Sequence, residues 1–191
     1  MLAVQQLQPL SVEDYLAIEE TSDIRHELVD GLLYAMVGTS QRHNLITLAL
    51  GASLRERLRG TPCRVFMESL KVRVAKNFYY PDLVISCNPG EPGHYVVTDP
   101  RVIIEVSSTA TEARDRLEKR LAYQRLPSLR EYVLVSQWQP RVEVIRRTES
   151  GWELETATGE DPLRLLSLAI EIPLAAIYED VDSFPDPEDL P

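Results

Sequence analysis

The sequence predicts an α/β or α+β domain: a mixed β-sheet flanked by helices. Three observations carry this. The runs "LVIS", "RVIIEVSS" and "EYVLVSQ" are almost continuously apolar, as strands covered on both faces are. Longer segments between them repeat apolar residues at helical spacing. Turn residues, among them Asp30-Gly31, Gly60, Pro127 and Ser150-Gly151, separate these segments.

In chain order, "SVEDYLAIEE" begins a short amphipathic helix, with Ser11 and Asp14 in a capping-box-like arrangement. In "RHELVDGLLYAM", Asp30-Gly31 lies between two apolar stretches and predicts a tight β-hairpin. "SQRHNLITLALGASLRERLRG" predicts a helix capped by Thr39 or Ser40. Arg55, Arg57 and Arg59 suit its C-terminal dipole, and Gly60 ends it. His43, Ile46, Leu50 and Leu54 share one face of this helix. "CRVFMESLKVRVAK" alternates as one strand, or as two with a bend near Ser69. "PDLVIS" is a strand entered through Pro81, "NPGEPGHYVVTDP" a loop, and "RVIIEVSS" a strand.

"TATEARDRLEKRLAYQRL" predicts a second helix that stops before Pro127. Its expected inward stripe is Ala113, Leu117, Leu121 and Gln124, with Glu112, Arg116, Lys119 and Tyr123 on a neighbouring flank. "EYVLVSQ" is a buried strand, and "RVEVIRRT" with "GWELETA" forms a terminal antiparallel pair. Residues 1–178 read as a single domain, and 179–191 as an acidic, Pro-rich tail.

No run approaches the ~18 apolar residues of a membrane helix, so no membrane is expected as a partner. The start "MLAVQQLQPL" lacks the basic region and long apolar core of a secretory signal. Cys63 and Cys87 stand far apart and outside any CxxC pattern. They predict a reduced, cytoplasmic protein without a disulfide framework. The net charge of −10 argues at first against nucleic acid. Yet residues 11–30 and 178–191 each carry a net −6, which leaves residues 31–177 at +2. A nucleic-acid partner stays compatible with that middle.

Two carboxylates stand where buried strands do not favour them: Asp82 at the mouth of "PDLVIS" and Glu105 inside "RVIIEVSS". Burying a charge alone costs several kcal/mol, so each needs a partner. If these strands are neighbours, the two acids converge, and convergence demands something positive between them. Oxygen ligands select a hard divalent cation, Mg²⁺ or Mn²⁺. A nearby lysine would then position water or neutralise developing charge.

Pro81-Asp82 at a strand entrance, with Glu105 in a later strand, resembles the PD-(D/E)xK motif of restriction-endonuclease-like nucleases. "RHELVDG", "RHN", "YYPDLVIS" and "RVIIEVSSTATEARDRLEKRLAYQRLPSLREYVLVS" together resemble the Uma-type family of bacterial putative endonucleases. The likeness runs from Ser11 to Tyr178. It implies a restriction-endonuclease-like mixed sheet flanked by helices, with an additional N-terminal helix and hairpin. It also implies a Mg²⁺-type (or Mn²⁺) site and phosphodiester hydrolysis in DNA. On that resemblance Asp82 and Glu105 hold the metal and the Val106 backbone carbonyl completes its shell. Glu27 adds a third carboxylate, and with His43 it orients solvent or substrate. The motif's lysine position holds Ser107, so Lys119 on the following helix is the candidate replacement, with Tyr123 one turn further on. Arg42, Arg114 and Arg116 would meet phosphates.

Each residue also has a plain structural reading. Asp82 after Pro is a common turn residue. Arg101 is an alternative partner for Glu105. Lys119 fits a solvated charged face, His43 a satisfied core histidine, and Tyr123 simple packing. Ser107 equally fits a site that has lost its chemistry, leaving a nuclease-fold module that binds nucleic acid or protein. Self-association as a homodimer or higher oligomer is expected, because duplex DNA presents two antiparallel targets. The terminal hairpin and the "EYVLVSQ" edge are the surfaces considered for it.

Overall fold

The computed structural model describes residues 9–36, 38–88, 90–91, 93–107 and 115–181. Helix α1 (Val12–Thr21) starts at Ser11, whose hydroxyl accepts from the Asp14 amide at 3.1 Å. Strands β1 (His26–Val29) and β2 (Leu32–Ala35) form the expected hairpin. Asp30 and Gly31 both adopt positive φ, 51° and 83°, as a two-residue turn of this hand requires. Gly31 is pinned twice: an added Cβ would also collide with Pro9, and its carbonyl accepts from the Leu10 amide at 2.9 Å. Gly31→Ala should therefore destabilise by about 1–3 kcal/mol. Gly60→Ala has similar φ strain but open space around it and should cost less. Equal losses in thermal unfolding would remove the role given to Pro9.

Helix α2 (Gln41–Arg57) is capped by Ser40, which accepts from the His43 amide. Ile46, Leu50 and Leu54 are completely buried and His43 nearly so, the face read from the sequence. Next, β3 (Arg64–Met67) and β4 (Lys71–Val74) resolve the choice left open for "CRVFMESLKVRVAK". They are two strands in different sheets, and the chain crosses between them at Glu68, φ 48°. Then come β5 (Asn77–Tyr79), β6 (Leu83–Ser86), β7 (Val96–Val97) and β8 (Val102–Ser107). A π-helical turn, Asp115–Lys119, leads into α3 (Arg120–Tyr123). Strands β9 (Glu131–Ser136), β10 (Arg141–Thr148) and β11 (Gly151–Thr158) follow, then β12 (Pro162–Leu165), β13 (Ile170–Pro173) and α4 (Leu174–Tyr178).

The α+β class holds, but the single sheet expected is two larger sheets and a ribbon. One has the order β2-β1-β5-β4-β7, the second β11-β10-β9-β8-β6-β3, and β12-β13 is the ribbon. On one face of the six-stranded sheet, Leu83, Ile85, Val102 and Ile104 pack against α2 and the C-terminal ribbon. On the other face, Val84, Ile103, Tyr132 and Leu134 pack against the five-stranded sheet and α3.

Three further expectations need correction. "EYVLVSQ" is not an edge: β9 lies between β8 and β10, so its backbone is already paired. Cys63 and Cys87 are not reduced thiols. The β3–β6 register sets Arg64 opposite Ser86, which places the two cysteines opposite each other, and they form a disulfide. The stripe expected to face inward from "RDRLEKRLAYQ" faces outward: Leu117 is 66% and Leu121 52% exposed, while Lys119 and Tyr123 are buried. Ala113, Glu112 and Arg114 lie outside the described residues, as do 182–191 of the expected tail. No described helix is long and apolar enough to cross a membrane.

Candidate active site

Strands β6 and β8 run antiparallel with Leu83 opposite Ile104, so Asp82 falls opposite Glu105. Side chains alternate along a strand, so Asp82 shares the face of Val84, and Glu105 that of Ile103. Both neighbours point into the core between the two larger sheets. Directly opposed residues have Cβ atoms about 5 Å apart. The sequence's two misplaced acids are thus brought together.

The same register sets Pro81 opposite Val106. Proline has no N–H to give the Val106 carbonyl, so the ladder is interrupted at that rung. The Val106 amide turns instead to Asp82 Oδ2, at 2.6 Å. His43 Nε2 lies 3.2 Å from the same oxygen, and Thr47 Oγ1 is 3.5 Å from its Nδ1. Burial opposes charging the imidazole, but the Asp82 hydrogen bond and charge, with help from Glu68 and the Val106 carbonyl, outweigh it. The net shift is upward from 6.5. A raised histidine value stabilises the fold below pH ~6.5 and loses that contribution as pH rises through the folded value. In the ion-free protein, the His43 ring should titrate above 6.5 by NMR, and Asp82→Asn should lower the midpoint. An unchanged midpoint would refute the coupling.

A second group meets at Glu105. Lys119 Nζ stands 3.2 Å from Glu105 Oε1 and 3.1 Å from Glu27 Oε1. The Tyr123 hydroxyl donates to Glu105 Oε1 at 3.1 Å, and the Tyr80 amide to Glu27 Oε1 at 3.1 Å. All four of Glu27, Glu105, Lys119 and Tyr123 are buried. This explains the inverted helix face. Lys119 and Tyr123 are one turn apart and share a side, and their buried acidic partners outweigh burial of Leu117 and Leu121. Burial, then the charges of Glu105 and Glu27, hold the Tyr123 phenol well above its usual range. It is therefore a hydrogen-bond donor and not a base.

The other candidates lie apart from this junction. Arg101 donates to the Ser167 carbonyl, and this is where the alternative partner for Glu105 goes. Ser107 Oγ is directed to the Val135 carbonyl. Arg42 lies over the Trp138 ring and reaches the Gln137 carbonyl. The side chain of Arg116 lies outside the described residues.

Sequence reading missed Glu19 and Tyr80. Glu19 accepts from the His26 amide at 2.9 Å and from the Tyr80 hydroxyl at 2.6 Å, and it faces His26 Nδ1 at 3.0 Å. It thereby ties α1 to the two segments that deliver Glu27 and Asp82. One signal was present: Glu19 stands four residues after Tyr15, the buried residue of α1. Beside Asp82 a cleft of about 400 Å³ opens, walled by Ile24, Arg25, Met36, Glu68 and Tyr80.

Among the described residues, no three His, Cys, Asp or Glu side chains are already gathered to hold an ion. The donor chemistry nevertheless fits a hard cation. Asp82, Glu105 and the Val106 carbonyl offer only oxygen, and Pro81 leaves that carbonyl without a ladder donor, beside His43.

The family model described as "Putative restriction endonuclease", Uma2, matches residues 12–176. The chain belongs to the Uma2 family. Among its relatives are two uncharacterised proteins of Synechocystis sp. (strain ATCC 27184 / PCC 6803 / Kazusa). One, slr1290, is 32% identical over 88% of this chain and 91% of its own length. The other, sll1609, is 29% identical over 84% and 94%. The fold matches a solved structure described as a putative nuclease belonging to DUF820 from Anabaena variabilis ATCC 29413. The TM-score is 0.76 at 15% identity, covering 90% of this chain and 98% of that one. The Uma2 chain therefore has a nuclease-like fold. The opposed acids at the ends of β6 and β8 lie within the matched span.

Proposed function

We propose that this Uma2-family chain is a metal-dependent endonuclease that hydrolyses phosphodiester bonds in DNA. Asp82, Glu105 and the Val106 carbonyl hold Mg²⁺ or Mn²⁺. The ion supplies Lewis-acid polarisation of the phosphate and a more acidic water.

The observation that carries this reading is Lys119. The motif lacks its lysine at Ser107, yet an ammonium from another element lies 3.2 Å from the motif glutamate. Glu27 and Glu105 hold Lys119 Nζ at the junction, where it can hydrogen-bond an attacking water or steady charge growing on phosphate oxygens. Tyr123 fixes the orientation of Glu105, and His43 that of Asp82. A preorganised array of this kind favours catalysis over a vestigial fold.

The test is plasmid and oligonucleotide cleavage with Mg²⁺ or Mn²⁺. Glu105→Gln and Asp82→Asn should each lose at least ~10²-fold in rate. DNA binding by the wild type without any divalent-dependent cleavage would favour the inactive binding module instead. Homodimerisation belongs to the same reading, since two antiparallel strands suit a two-fold pair.

A further inference from the structure

The first turn of α2 leaves hydrogen-bond donors unanswered beside the candidate site. Ser40 is its N-cap: the hydroxyl oxygen accepts from the His43 amide at 3.1 Å, and the carbonyl from the Asn44 amide at 3.0 Å. The Gln41 and Arg42 amides, at the first two helical positions, have no carbonyl a turn behind to receive them. The dipole of a 17-residue helix stands behind these amides and makes this end favour a negative charge.

Water alone would satisfy a plain helix end. Gln137 is what points to a ligand. It is 3% exposed, just past β9, and its Oε1 accepts from the Ser40 hydroxyl at 2.9 Å. Its amide nitrogen is thereby held at the same helix end, where it meets no acceptor among the described residues. The next residue, Trp138, has its indole N–H buried, also with no acceptor among them. Buried polar groups are nearly always paired, so donors gathered without acceptors call for an acceptor from outside. Arg42 adds positive charge: its guanidinium lies 5.3 Å from the Trp138 ring centre and reaches the Gln137 carbonyl.

Position identifies the anion. The described residues lining the hollow at this helix end are Thr39, Ser40, Gln41, Asn44 and Leu45, none of them acidic. Thr39 also lines the cleft that holds Asp23, Glu68 and Asp82. His43, in the same helical turn, reaches Asp82 Oδ2 at 3.2 Å. An acidic cleft suited to a cation thus adjoins a hollow suited to an anion, and one nucleic-acid strand can serve both. One of its phosphates meets the ion while a neighbour meets the helix.

We propose that the first turn of α2, with Gln137, binds the phosphate next to the scissile one on the DNA strand. The identity of the anion rests on the nuclease reading. Amides recognise a phosphate whatever base it carries, so this contact fixes the strand's position and reads no sequence.

The experiment has two arms. Dimethyl phosphate, a soluble diester, is titrated into the isotope-labelled full chain, and the Gln41, Arg42 and Gln137 side-chain amide signals are followed by NMR. Binding of labelled DNA is then read by fluorescence anisotropy with Ca²⁺ replacing Mg²⁺. The three signals should shift saturably. Gln137→Glu keeps an acceptor for Ser40 but sets a negative charge at the helix end. It should weaken DNA binding roughly tenfold, and equally for unrelated sequences. No shift of these signals, or unchanged affinity in Gln137→Glu, overturns the proposal. So do shifts with inorganic phosphate but not with the diester, which would make this a site for free phosphate. The titration uses the unaltered chain, so it decides the matter even where Gln137→Glu does not fold. Gln137-dependent DNA binding without cleavage leaves the phosphate site standing and removes the nuclease reading. Divalent-dependent cleavage with binding indifferent to Gln137 does the reverse.

Discussion

Lys119→Met is expected to lower stability by about 3–5 kcal/mol and to abolish divalent-dependent cleavage. The ammonium is buried and stands within 3.2 Å of both Glu27 and Glu105. Methionine keeps most of the volume, so packing changes little. What changes is electrostatic: two buried carboxylates lose the Lys119 charge between them, and removing one partner of a buried ion pair is costly. For a chain of 191 residues the loss corresponds to a fall of about 6–20 °C in midpoint. Thermal or urea unfolding reads the first effect and nicking of plasmid the second. A variant of unchanged stability would mean that Lys119 belongs to a solvated face. A stable, fully active variant would remove it from the chemistry.

Glu131→Ala is expected to cost a similar 3–5 kcal/mol but to spare cleavage by the molecules that remain folded. Glu131 at the start of β9 is completely buried. Its Oε1 accepts from Arg146 Nε at 3.0 Å and from the Leu166 amide at 2.8 Å. Its Oε2 accepts from the Ser167 amide at 3.2 Å and hydroxyl at 2.6 Å. One side chain thus fastens the C-terminal ribbon to the main sheet. Alanine takes one of the partners of the Arg146 guanidinium, which keeps Glu155 and the Arg164 carbonyl, and strands two buried backbone donors at once. Glu131→Gln should fall in between, because its amide offers N–H where amide donors already point. Urea unfolding of the three proteins, with cleavage corrected for folded fraction, checks both parts. A loss under about 1 kcal/mol would contradict the account.

The two predictions separate what the sequence reveals from what it hides. Local signals survive folding because they act within a few residues. Asp30-Gly31 makes its turn, Ser40 caps α2, and the helical spacing of His43, Ile46, Leu50 and Leu54 marks a buried face. That Asp82 and Glu105 need partners was legible too, since a charge in a buried run announces one; Asp82 finds His43 and the Val106 amide, and Glu105 finds Lys119 and Tyr123. Tertiary choices were not. The spacing of Leu117 and Leu121 argued for their burial, yet the helix turns Lys119 and Tyr123 inward because acids on other elements await them. The opposition of Cys63 and Cys87 depends on the β3–β6 register, which no spacing within one strand encodes. The short turn at 166–168 that divides β12 from β13 has no Gly or Pro to mark it. Glu19 looked like one acid among many, because its importance lies in what it touches.

The most direct measurement is a crystal of the full chain soaked in Mn²⁺ and examined for anomalous scattering. A single strong peak bounded by the carboxylates on β6 and β8 and the Val106 carbonyl is the predicted result, and it should vanish in Asp82→Ala. No peak there at saturating Mn²⁺, or one that persists unchanged in Asp82→Ala, would contradict the proposal that these two strand ends grip a catalytic ion.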